Sequence, residues 1–147
     1  QFVKKATQVG VDGLIIPDMP LNIYQQEYKK LFEKYDIKMS FLITPQTADK
    51  RIIEIAEESS AFLYVVSSYA ITGGNSEIQD YQTEYFKIAA LNITTPKLIG
   101  FGISNAETFE QACLYADGAI IGSAFIKVLT DSKNIKETIK QFITSIK

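Results

Sequence analysis

Ala116-Asp117-Gly118-Ala119-Ile120-Ile121-Gly122-Ser123-Ala124 contains a helix-to-strand turn, a buried strand and a glycine loop that opens the next helix. Its first part echoes Val11-Asp12-Gly13-Leu14-Ile15-Ile16 near the start of the chain. Between the two copies, apolar runs at residues 13–16, 39–44, 61–66, 97–101 and 118–121 alternate with helical patterns at 22–35, 48–59, 81–92 and 105–116. Leu31, Phe32 and Tyr35 make one helical stripe, and Ile52, Ile53, Ile55 and Ala56 another. A last helix at 134–146 carries Ile135, Ile139, Phe142, Ile143 and Ile146 on one side. The strands are continuously apolar, as expected where helices cover a parallel sheet. Repeated βα units with short connections mean an α/β architecture with right-handed crossovers. Repetition of one unit favours a TIM (βα)8 barrel over an open doubly wound sheet. Eight units need about 250 residues, so five strands predict roughly the last five βα units, one partial barrel domain over residues 1–147. The segment 2–9 has helical spacing without an N-cap and reads as the last two turns of a helix.

The glycine loops carry the functional signal. Leu98-Ile99-Gly100-Phe101-Gly102-Ile103-Ser104 and the loop at Gly122-Ser123 each end an apolar run and lead into helical sequence. Glycine lets the backbone approach a ligand, and a helix N-terminus offers unpaired N–H groups and a positive dipole end. In barrels the loops after strands seven and eight commonly hold phosphate together with a short extra helix, for which residues 123–128 qualify. The competing reading is glycine for turn sterics alone. Asn105 stands where a dinucleotide fingerprint needs its third glycine, and there is no GxxxxGK[ST] loop.

Other features bound the chemistry. The chain has no histidine, which removes imidazole bases and HExxH sites and leaves carboxylates, lysines and tyrosines for proton transfer. Its single Cys113 has no internal disulfide partner and reads as a buried or half-buried structural residue in a reducing, cytoplasmic setting. A net charge of −2 gives no reason to expect nucleic acid or a membrane surface as partner, and no apolar run approaches the roughly 18 residues of a membrane span. Hydrophobic content of 46% suffices for a packed core. No targeting peptide is recognisable. Asp18 follows a strand end, where catalytic carboxylates sit in barrels but N-caps and loop braces do too. Asp12 and Asp117 fall on the opposite rim, as structural turns. Tyr64 either lines a pocket or belongs to the core. Lys4-Lys5, Lys29-Lys30 and Asp49-Lys50-Arg51 read as solvated helix faces. The longest strand-to-helix connection, residues 67–80, leaves a C-terminal strand end, where long loops act as lids; the competing reading is a disordered surface loop.

Gly10-Val11-Asp12-Gly13-Leu14-Ile15-Ile16-Pro17-Asp18-Met19-Pro20, Thr44-Pro45-Gln46-Thr47-Ala48-Asp49-Lys50-Arg51-Ile52, Thr72-Gly73, Gly100-Phe101-Gly102-Ile103-Ser104 and Gly122-Ser123-Ala124 together resemble the tryptophan synthase alpha chain in order and spacing. The resemblance covers essentially the whole sequence. It implies a TIM barrel lyase that cleaves indole-3-glycerol phosphate to indole and glyceraldehyde 3-phosphate in L-tryptophan biosynthesis. It further implies an alpha2beta2 complex with a beta chain carrying pyridoxal phosphate, and no cofactor in this chain. Gly73, Phe101, Gly102, Gly122 and Ser123 would contact the substrate phosphate, Tyr64 would line the indole side, Thr72 would help close the site, and Asp18 would support the subunit interface. The family's two catalytic carboxylates precede the matched segment, so the resemblance implies that this chain alone is inactive. Ser68-Tyr69-Ala70-Ile71-Thr72-Gly73 departs from the family's usual basic residue and glycine before Val-Thr-Gly. Two rival readings are a non-catalytic phosphate-binding half-barrel that self-associates through open strand edges, and another phosphate-binding barrel of tryptophan or thiamine biosynthesis. The latter leaves Pro17-Asp18-Met19-Pro20 without an account.

Overall fold

A computed structural model describes residues 1–44, 46–67, 88, 91–130 and 132–146. Its strands are β1 (Gly13–Ile15), β2 (Lys38–Ser40), β3 (Leu42–Ile43), β4 (Leu63–Val66), β5 (Lys97–Gly100) and β6 (Gly118–Ile120). β1 pairs with β2, and β3 to β6 form a sheet in chain order, every pair parallel. Among the described residues no strand order reverses, so the arrangement is the barrel type and not the doubly wound one. The single run expected at 39–44 is divided at Phe41, because its first half pairs with β1 and its second with β4. Phe41 keeps the two halves joined: its carbonyl accepts the Tyr64 N–H at 2.9 Å.

The helices are α1 (Phe2–Gln8), α2 (Leu21–Ile23), α3 (Lys29–Lys34), α4 (Asp49–Glu58), α5 (Ala106–Cys113), α6 (Ser123–Thr130) and α7 (Ile135–Ile146). A π-helical turn, Tyr24–Tyr28, joins α2 to α3 inside the continuous helix expected there. The expected helix at 81–92 lies almost entirely outside the described residues, although Ile88 is helical and buried. Cys113 is exposed, contrary to expectation. It ends α5, and its neighbour Ala112 is the residue that turns inward.

The two faces of the sheet differ. Ile43, Val65 and Ile99 share one row and are buried with Ile52, Ile55 and Ala56 of α4 in one cluster. Burying each of these isoleucine and valine side chains stabilises by about 1.5–3 kcal/mol. Leu42, Tyr64, Leu98 and Gly118 form the row beside it and are only half-buried. Tyr64 therefore belongs to the face turned away from α4.

Candidate functional site

Parallel pairing in register brings the two glycine loops together. Gly100 of β5 is opposite Ile120 of β6, so Phe101-Gly102 and Ile121-Gly122 leave the sheet at the same level. Tyr64 comes from the next strand, β4, which pairs with β5 on its other side. Asp18 is not part of this group. It is exposed in the turn after β1, at the far end of the strand order. Thr72 and Gly73, with the lid expected around them, lie outside the described residues.

The first loop is crowded and bent. A Cβ at Gly100 would collide with the Tyr64 hydroxyl and the ring carbon that bears it, so only glycine lets that side chain cross β5. Tyr64 then packs against Phe101, with ring centroids 5.8 Å apart. Burial pushes the Tyr64 hydroxyl above its ordinary pKa, so it stays protonated at neutral pH. Phe101 has φ 67° and Gly102 φ 74°. A left-handed conformation is uncommon for a bulky residue, and such strain clusters at ligand sites. Phe101 is 50% exposed even so.

The helix after this loop does not present the free N-terminus that its sequence suggests. Asn105 caps α5, its side chain accepting the Thr108 N–H at 2.9 Å. Thr108 Oγ1 accepts the Ser104 and Asn105 N–H groups at 3.0 and 3.2 Å. Glu107 in the first turn adds negative charge there. The second loop is open. A Cβ at Gly122 would meet nothing within 4 Å among the described residues, and α6 begins at once with Ser123 and no acid in its first turn. The Gly122 carbonyl accepts the Ile126 N–H at 3.0 Å.

The motif reading assigned no role of their own to three residues of this region. Gly100 matters through the Tyr64 ring, a contact no spacing rule encodes. Ser67, at the end of β4, is buried, and its N–H donates to the Gly100 carbonyl at 2.9 Å. Thr108 was legible in principle, because Asn105 and Thr108 at N-cap and N3 follow the capping-box spacing.

Among the described residues, the opposite rim holds three ion pairs, Lys29–Glu58, Lys38–Asp36 and Lys97–Asp117. A cavity of about 260 Å³ lies there, lined by Tyr24, Lys29, Phe32, Lys38 and Glu58 among others. It adjoins the beginnings of the strands, so it is remote from the glycine loops. Glu58 accepts a hydrogen bond from Gln25 at 3.1 Å, and the Lys29 ammonium stands 2.8 Å from its other oxygen. Lys29 is thus part of an interhelical clamp and not only a solvated face. Burial pushes the Glu58 carboxyl up, but Lys29 and Gln25 outweigh it and hold the group below its ordinary value. Asp117 accepts the Lys97 N–H at 2.8 Å and is lowered chiefly by that bond, consistent with the structural turn expected. Among the described residues there is no cluster of three His, Cys, Asp or Glu that could hold a metal, and no helix long and apolar enough to cross a membrane.

Comparison with known proteins agrees with the fold. The family model described as the tryptophan synthase alpha chain matches residues 1–147. The alpha chain of Flavobacterium johnsoniae is 52% identical over 147 residues, covering 99% of this chain and 57% of the relative. That of Bacteroides fragilis is 43% identical over 139 residues, covering 94% and 53%. Among solved structures, the alpha subunit from Campylobacter jejuni is similar with a TM-score of 0.80 at 27% identity, over 99% of this chain and 58% of that one. The chain from Pyrococcus furiosus, from a structure described as a tryptophan synthase a2b2 complex, gives 0.80 at 30%, over 99% and 59%. The sequence thus spans a little over half the length of these relatives and has the α/β fold of a partial TIM barrel. The chain belongs to the tryptophan synthase alpha chain family.

Proposed function

We propose that residues 1–147 form one partial-barrel domain that grips the phosphate of indole-3-glycerol phosphate in a tryptophan-synthase-type lyase. The observation that carries this is the exit of two glycine loops from adjacent parallel strands at one level, within a chain of this family. Phe101 and Gly102 supply backbone N–H groups from a strained turn. Gly122 and Ser123 supply them at the start of α6, where the helix dipole favours an anion. Gly73 adds a contact from the long loop, and Thr72 helps to close it. Tyr64, neutral and half-buried, borders the indole side. Asp18 supports the face that meets a beta chain, and the pyridoxal phosphate belongs to that partner.

Retro-aldol cleavage needs a proton placed on the indole ring and another removed from a hydroxyl. None of Tyr64, Phe101, Gly102, Gly122 and Ser123 is a carboxylate. In this reading the described loops bind and orient, and acid–base work falls to carboxylates outside the matched segment. The reaction is soluble-phase biosynthetic chemistry, which fits a cytoplasmic protein.

Gly102→Glu tests the assignment, because its carboxylate would repel the phosphate and fill its space. Titration of the chain with glycerol 3-phosphate should show binding that the variant loses. Equal binding by both proteins overturns the phosphate site. Detectable indole formation by the 147-residue chain alone would overturn the division between binding and chemistry.

A further inference from the structure

The strained turn of the first loop needs something to hold it, and the hydrogen-bond pattern identifies what does. Only Ile103 and Ser104 separate Gly102, at φ 74°, from the N-cap Asn105. The Ser104 N–H donates to Thr108 Oγ1 at 3.0 Å, across four residues, and the Asn105 N–H donates to the same oxygen at 3.2 Å. The Thr108 hydroxyl in turn has the Asn105 side-chain oxygen 2.8 Å away and the Asn105 carbonyl at 3.1 Å. A hydroxyl has one proton and two lone pairs, so this one is fully committed. One side chain on α5 therefore pins the strand-to-helix connection at the point where the left-handed turn ends.

We propose that Thr108 is a positioning residue for phosphate: its Oγ1, by holding the Ser104 and Asn105 N–H groups, keeps Phe101 and Gly102 in the turn that faces the anion. The proposal rests on the phosphate reading of the loop. It does not follow from helix stability alone. Ser104 and Asn105 are exposed, so water can replace the lost acceptor, and what disappears with the hydroxyl is the fixed geometry. Phe101 supplies the strain that would drive relaxation, because a bulky residue leaves the left-handed region once nothing enforces it.

Thr108→Val keeps the side-chain shape and removes the hydroxyl, Thr108→Ser keeps the hydroxyl, and Asn105→Gly removes the cap while leaving Thr108 Oγ1 opposite the Ser104 N–H. Each isotope-labelled chain is titrated with glycerol 3-phosphate by NMR, and the Phe101 amide-to-Hα coupling reports its φ. Thr108→Val should weaken binding by about tenfold, the affinity equivalent of one net hydrogen bond, and shift the Phe101 coupling. Thr108→Ser should restore both, and Asn105→Gly should retain most of the affinity with Phe101 unchanged. Binding that Thr108→Val leaves intact overturns the proposal alone. Equal losses in Thr108→Val and Asn105→Gly overturn it as well, since helix-end stability then accounts for the effect. Absence of binding in the unaltered chain overturns the phosphate reading itself. Dispersed amide spectra show that each variant is folded.

Discussion

The two glycine loops have similar sequences and leave neighbouring strands at one level, yet they are built on different principles. Around Gly100-Phe101-Gly102 the glycine is consumed by the protein: Tyr64 occupies the space a Cβ would need. Two successive residues are left-handed, and the following helix is capped by its own side chains. At Gly122 no described residue occupies that space, and helix α6 starts directly from the glycine. The first loop is a shaped wall, and the second leaves room beside a helix dipole. In the proposed function the anion is held between them, its position set by one and its charge stabilised by the other.

Gly100→Ala attacks the crowded loop at its tightest point. Either the Tyr64 ring leaves or the β4–β5 pairing shifts, and overpacking of this severity should cost about 3 kcal/mol, measured by urea unfolding. In a Tyr64→Ala background the same substitution should cost far less, because the clashing ring is gone. Additive costs in the two backgrounds would mean that Gly100 matters for backbone reasons and not for the ring.

The next prediction sets the loop end of the strands against the opposite rim. Among the described residues, the carboxylates whose ionisation is displaced downward, Asp36, Glu58 and Asp117, all lie at that rim, each beside a lysine. A carboxyl held below its ordinary value stabilises the fold above its unfolded-state pKa, and that share is lost as pH falls through the folded value. Glu58→Gln should cost about 1.5 kcal/mol at neutral pH and flatten the fall in stability on the acid side. Binding of glycerol 3-phosphate should be unchanged at neutral pH. A variant with the parent's full acid-side slope would remove Glu58 from the account.

Asn105→Ala returns to the first loop with a smaller effect. Loss of an N-cap side chain costs about 1 kcal/mol, and thermal unfolding should show it. A cost near zero would mean that Thr108 alone secures the helix start.

How much of this was legible follows from which physics is local. The parallel βα order could be read from apolar runs, because burial under helices leaves its mark residue by residue. The division of the second strand at Phe41 could not, since it depends on which neighbour each half finds. The π-helical turn at Tyr24–Tyr28 keeps an ordinary helical periodicity in the sequence, yet it sits in the helix that sends Gln25 and Lys29 to Glu58. The glycine loops were visible as motifs, but the difference between them was not. Gly100 is explained by a ring thirty-six positions earlier in the chain, and Gly122 by open space among the described residues.

Gly122→Ala gives the smallest expected change in stability and the sharpest test of that difference. The position has no positive φ, and its new methyl group would meet nothing within 4 Å among the described residues, so stability should stay within about 0.5 kcal/mol of the parent. If the empty space is where phosphate approaches the start of α6, the methyl group stands in the anion's path, and glycerol 3-phosphate should bind more weakly to a protein of unchanged stability. Gly100→Ala should show the reverse weighting, with stability lost first and affinity lost as a consequence of Tyr64 moving. A Gly122→Ala chain that binds as tightly as its parent would make the second loop a plain turn, leaving the phosphate to the first loop alone.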